Sequence, residues 1–237
     1  MKNIKFLLAL VATVSLSTAQ AAILWSPTES TATLADDFNS YPTGPVTAPF
    51  PIIGGTLGEA FTGQVVSDSG GFDVVTGTPV NPLAIAASVG EVEVFQFGDG
   101  TVVGIGTGAG AEGIGEGAIS FRFEDGQSEM GIDVLGVDSN GNMQLQFFDD
   151  SGAAVDTVTV PLDADGSFTF TSDAGDFAGV TITNTDPGGV TYDNLRLSSI
   201  GEPAAEVPVP TLGTWSLLLL VLAMLWIGRS GLRAHRH

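Results

Sequence analysis

The chain contains no cysteine, which removes disulfides, thiolate metal sites and cysteine nucleophiles together. Its two histidines, His235 and His237, both lie in the last three residues. No Ser-His-Asp arrangement and no imidazole metal site is therefore available to the body of the chain. Basic residues are nearly as scarce. Five of the seven sit in the terminal segments, and the stretch between them keeps only Arg122 and Arg196 against 27 acids, a net charge of −25. Such a surface repels nucleic acid and anionic lipid and favours solubility and cation association, so a nucleic-acid role is excluded. Helical periodicity is absent as well, and no segment of the body reads as an amphipathic helix.

What is present at the N-terminus is an export pattern. Lys2 and Lys5 precede an apolar run from Phe6 to Leu16, and small residues follow up to Ala19-Gln20-Ala21. Charged region, short apolar region and A-x-A site are the order of a secretory signal. The run is about 11 residues, short of the roughly 20 needed to span a bilayer. Cleavage is expected after Ala21, with Ala19 and Ala21 as the small residues at the cut, which makes 1–21 a signal peptide.

At the other end, Leu212 to Gly228 is uncharged, and Arg229, Arg233 and Arg236 follow. Seventeen residues at 1.5 Å each reach about 26 Å, enough for a short transmembrane helix. Trp215 and Trp226 stand near its edges, where indoles favour the interface, and the arginines would hold the tail on the cytoplasmic side. A buried core helix is the alternative, and the arginines fit it poorly. Pro208 and Pro210 keep the approach extended, as a protease site needs. Val209-Pro210-Thr211-Leu212-Gly213-Thr214-Trp215-Ser216, the apolar helix and the basic tail together resemble the IPTL-CTERM protein-sorting domain of Gram-negative bacteria. Pro210, Thr211, Leu212 and Trp215 match its signature; Val209 replaces the usual Ile and Ser216 the usual Gly. The resemblance covers 209–237. It implies recognition by an exosortase-like membrane peptidase that removes the tail and passes the protein from the inner membrane to the cell surface or matrix.

Between the ends, 22–199 is expected to form one all-β domain of roughly 175 residues, long enough for a well-buried core; 200–208 reads as a linker. Residues 119–123, 143–147, 155–160 and 168–170 alternate apolar and polar side chains, the period of strands with one face buried. Residues 92–97, 180–182 and 190–197 are further strands. Between them lie turns rich in Asp, Asn and Gly at 138–142, 149–152 and 163–166, whose Asn-Gly and Asp-Gly character suits tight hairpins. Short strands at this spacing predict an antiparallel β-sandwich, jelly-roll-like, with a first strand near 33–38 pairing with a last one near 190–197. The segments Ala35-Asp36-Asp37-Phe38-Asn39 and Thr191 to Leu197 resemble the first and last strands of carbohydrate-binding-module jelly rolls.

Several features invite a chemical reading. Gly98 to Gly117 holds nine glycines and a formal G-x-G-x-x-G from Gly108 to Gly113. A dinucleotide cradle needs a following helix and positive charge, whereas Glu112 and Glu116 are acidic, so a flexible loop is the expectation. Asp138, Asn140 and Asn142 imitate the start of an EF-hand loop, but Met143 stands where glycine belongs. The better calcium candidate joins the two ends of the domain through Asp36, Asp37 and Asp193, against the alternative of solvated or hydrogen-bonded carboxylates. No other cofactor is expected. Sugar platforms are usually aromatic, and only Trp25, Tyr41 and Tyr192 stand beside phenylalanines that alternate as core. Paired carboxylates for glycoside hydrolysis cannot be singled out among so many acids. The leading expectation is an exported, non-enzymatic surface or matrix β-sandwich; the alternative is a carbohydrate-binding adhesion module, calcium-assisted or not, on extracellular polysaccharide; a glycoside-active enzyme is third.

Overall fold

Alternating side chains become a two-sided architecture once the strands pair. The computed structural model describes residues 21–97, 100–105, 115–138, 141–173 and 175–200. Ala19, Asn140, most of the glycine-rich segment, the sorting motif with its apolar span and the basic tail lie outside the described residues.

Sixteen strands follow one another: β1 (Ile23–Ser26), β2 (Thr33–Asp36), β3 (Gly44–Ala48), β4 (Phe50–Ile52), β5 (Gly55–Gly58), β6 (Gln64–Asp68), β7 (Asp73–Gly77) and β8 (Ser88–Phe97), then β9 (Gly100–Ile105), β10 (Ile119–Gln127), β11 (Glu129–Leu135), β12 (Gly141–Phe148), β13 (Ala154–Leu162), β14 (Gly166–Ser172), β15 (Phe177–Asn184) and β16 (Thr191–Leu197). Among the described residues there is no helix, and so none long and apolar enough to cross a membrane. One sheet has the order β1-β14-β11-β16-β9-β8-β3, with β2 also on β16; the second runs β13-β12-β15-β10-β5-β4; β6 and β7 make a separate hairpin. The strand pairs are antiparallel.

The core lies between the two sheets. Met130, Ile132, Val134, Phe170, Leu195 and Leu197 from the first meet Phe121, Phe123, Leu145, Phe147, Val180 and Ile182 from the second, and all twelve are fully buried. Phe147 joins the layers, with its ring centroid 5.7 Å from Phe170 and 4.9 Å from Phe177. Apolar burial contributes roughly 1.5–3 kcal/mol for each such side chain. A β-sandwich is the result, and the seven strands expected from alternation are all present. The expected pairing of 33–38 with 190–197 is present too, Leu195 lying opposite Asp36 and Leu197 opposite Thr33, but the 33–38 segment is the second strand, preceded by β1, which pairs with β14.

The turns divide differently from the expectation. Only Asp149–Gly152 closes a hairpin, between β12 and β13. There Gly152 takes a φ of 81°, and the Asp149 carboxylate accepts from Ser151 N, Ser151 Oγ and Ala153 N. The 163–166 turn instead carries the chain from one sheet to the other, as does the passage from β11 to β12. The difference is physical: a turn dipeptide specifies a reversal, and which sheet the next strand joins is decided by where its apolar face is buried.

Residues 59–87 lie over the outer face of the second sheet. Phe61, Leu83 and Ile85 form a smaller buried cluster there with Ala48, Phe148 and Ala178. Ser120 donates to the Glu59 carbonyl, Thr181 to Gln64 Oε1, and Arg122 to the carbonyls of Leu83 and Ala178.

Candidate functional site

Three surfaces contain enough polar chemistry to be weighed. The first holds the sequence-predicted carboxylates. Pairing of β2 with β16 sets Asp36 opposite Leu195 and brings Asp37 within electrostatic reach of Asp193. Asp36, buried, accepts from Phe38 N at 2.9 Å, Tyr41 Oη at 2.5 Å and Ile53 N at 2.8 Å. These bonds hold the turn in which buried Phe38 takes a φ of 53°, a costly conformation for a bulky residue. Burial, and then the hydrogen bond to Asp36, pushes the Tyr41 phenol pKa upward. Asp37 caps Asn39 N. Asp193 accepts from Asn194 N at 2.7 Å; partial burial raises its pKa, with the charges of Asp133 and Asp37 adding to the rise and Asn194 N and Arg196 opposing it. Arg196 reaches Asp133 at 3.2 Å and Glu29 at 2.6 Å. Among the described residues no three His, Cys, Asp or Glu side chains are grouped to hold a metal ion. The hydrogen bonds instead assign Asp36 to holding its own loop.

The second surface is an open cleft of about 580 Å³, with Arg122 among Glu124, Asp125, Asp149, Asp150 and Asp176. Asp150 is ion-paired with Arg122, Asp149 holds its own turn, and Asp125 accepts from Ser199 Oγ. Three of the five carboxylates are thus committed to keeping the chain in place.

The third surface was not foreseen from the sequence. On β12 the core takes Met143, Leu145 and Phe147, so Asn142, Gln144 and Gln146 face outward. On edge strand β13 the core takes Val158, Val160 and Leu162, leaving Thr157, Thr159 and Pro161 outward; on β15, Thr181 and Thr183 are their counterparts. Register aligns them in rows: Thr159, Gln144 and Thr183 in one, Thr157, Gln146 and Thr181 in the next. Adjacent strands lie about 4.8 Å apart, and alternate residues along a strand about 6.7 Å, so hydroxyls and amides form a regular lattice. Gln144, Thr157 and Thr159 are exposed, and Gln146 and Thr183 half-buried. Thr181 is buried at the corner that residues 59–87 overlie. Not one of these residues is charged. The signal that could have revealed the lattice was the uncharged T-x-T of β13 and β15 beside the Q-x-Q of β12.

No family model matches the chain, and no curated protein does. Among solved structures, a mutant of a family 29 carbohydrate-binding module complexed with cellulohexaose aligns over 77% of this chain and 94% of its own, at 14% identity and a TM-score of 0.29. A second mutant of a family 29 module aligns over 75% and 94%, with the same identity and TM-score. The enzymatically active domain of a bacteriophage tailspike aligns over 72% of this chain and 21% of its own, at 13% identity and a TM-score of 0.24. At such TM-scores these likenesses carry no weight for fold or ligand.

Proposed function

We propose that this is an exported, non-enzymatic β-sandwich of the bacterial surface or matrix that contacts neutral polysaccharide through the Thr/Gln lattice of β12, β13 and β15. Export rests on the A-x-A signal, and delivery on the sorting-type tail with an exosortase-like peptidase as its partner. The observation that carries the binding role is an uncharged hydrogen-bonding face on a domain with 25 acids against two arginines, a net charge of −23. Elsewhere anionic partners are repelled, whereas a neutral glycan meets donors and acceptors on the lattice without an electrostatic penalty. Each net hydrogen bond contributes about 0.5–1.5 kcal/mol, and ordering costs offset much of the sum. With no aromatic platform on the face, one domain binds weakly, near the millimolar Kd that corresponds to about −4.1 kcal/mol. Many copies on one surface convert weak contacts into retention.

The test is retention of the exported protein on insoluble cellulose and in gels containing a neutral or a uronate polysaccharide. Wild type is expected to be retarded by a neutral glycan and unaffected by the uronate. Gln144→Ala with Thr159→Ala should abolish most of the retardation, and Thr159→Asp should abolish it through charge and desolvation. Equal retardation of all variants would remove the lattice as the binding face.

A further inference from the structure

β1 begins where the export signal is expected to be cut. Ala22 N donates to Asp173 Oδ1 at 2.8 Å, and Ile23 N donates to Asp156 Oδ2 at 2.7 Å. Asp173 N in turn donates to the Ala22 carbonyl at 3.1 Å. Asp173 follows β14, the strand on which β1 pairs, and Asp156 belongs to β13 of the opposite sheet. A surface depression of about 390 Å³ beside them is lined by Ala21, Ala22, Ala154, Asp156 and Thr157. Two carboxylates from two sheets therefore converge on the first backbone nitrogens after the cut.

We infer that Asp173 and Asp156 form a receptor for the α-ammonium group that signal cleavage creates at Ala22, so that processing itself pins β1 to both sheets. The inference rests on the export reading above. Hydrolysis adds one water across the Ala21–Ala22 bond: its oxygen ends on the Ala21 carbonyl carbon as a carboxylate, and the Ala22 nitrogen keeps the electron pair of the broken bond and becomes –NH₃⁺. A single-donor amide is thereby exchanged for a cation with three donors. Asp173 already holds this nitrogen, and Asp156 lies on the wall of the depression that loss of Ala21 enlarges. A charge-assisted hydrogen bond is about twice as strong as a neutral one. The uncleaved precursor lacks the cation, so β1 gains this tether only on maturation.

The chain offers an unusually clean readout. Its lysines are Lys2 and Lys5 alone, so after cleavage the Ala22 nitrogen is the sole aliphatic amine. The experiment purifies the exported protein, reads its N-terminus by intact mass, and follows the rate of acylation by an amine-reactive ester against pH. Only the deprotonated amine reacts, so the midpoint of the rate profile reports the ammonium's pKa. Ordinary α-amino groups titrate at about 7.7–8.0. With both carboxylates present the midpoint is expected above about 8.0, and Asp173→Asn and Asp156→Asn should each lower it, the double substitution returning it to the ordinary range. A chain starting anywhere but Ala22 would overturn the inference together with the assigned cut. A chain starting at Ala22 with an ordinary midpoint, insensitive to both substitutions, would overturn the receptor while leaving export intact.

Discussion

Asp193 shows how a single carboxylate can oppose the fold that contains it. Its pKa is raised by partial burial first, with Asp133 and Asp37 adding to the rise against Asn194 N and Arg196. A group whose folded pKa exceeds its unfolded one holds its proton more tightly when folded, so its penalty is complete above the folded pKa and absent below the unfolded value. Asp193→Asn keeps the oxygen that accepts from Asn194 N and removes the charge. Melting followed by circular dichroism should therefore find the variant more stable than wild type at pH 7, and the gain should shrink as the pH falls through the folded pKa of Asp193. An unchanged or lower melting temperature at pH 7 would refute this. Asp36 receives three donors, Phe38 N, Tyr41 Oη and Ile53 N, and holds its own turn through them.

At the scale of strands, the outer cover of the second sheet is the part with least slack. Gly179 on β15 sits beneath it, and a Cβ added there would lie 2.7 Å from the Phe61 ring, 2.8 Å from the Phe121 carbonyl and 2.9 Å from Leu83. Gly179→Ala is expected to cost about 1–3 kcal/mol by overpacking, read as a lower denaturation midpoint; a neutral effect would mean that residues 59–87 lift readily from the sheet. Sequence periodicity made β8, β10 and β12–β16 legible because apolar and polar residues alternate along them, although β15 is buried on both faces. It missed β1, β3 to β7, which are short and mostly carry Gly or Pro, and β11, where Gly131 interrupts the alternation; it also read Gly98 to Gly117 as a loop, whereas Gly100–Ile105 of that segment is β9, held between β8 and β16. Gly131 is required there, since an added Cβ would meet Ser30 Cβ at 2.3 Å. The Thr/Gln lattice was hidden for another reason: attention to alternation selects the apolar partners, and the polar residues between them acquire meaning only when register lines up three strands.

For the molecule as a whole, charge is the dominant strain. With 27 acids against two arginines in its body, the folded chain concentrates like charges that the unfolded chain spreads apart. Raising ionic strength from about 0.01 M to about 0.15 M shortens the Debye length from about 30 Å to about 8 Å. The melting temperature should rise over that range with sodium chloride, without any need for a divalent ion, and a flat response would show that the acids are already balanced locally by their hydrogen bonds.

The place of β16 in the strand order fixes when this fold can exist. It stands between β11 and β9 and also holds β2, so until the last strand arrives β1-β14-β11, β9-β8-β3 and β2 are unconnected. The pairings that close the domain join distant parts of the chain, 151 residues apart for Ala22 and Asp173. Contacts of that kind are slow to form, on the order of milliseconds to seconds for β topologies. A polypeptide emerging N-terminus first therefore cannot close this sheet until Thr191 to Leu197 have been made, and truncation ahead of Thr191 leaves its pieces without the strand that joins them.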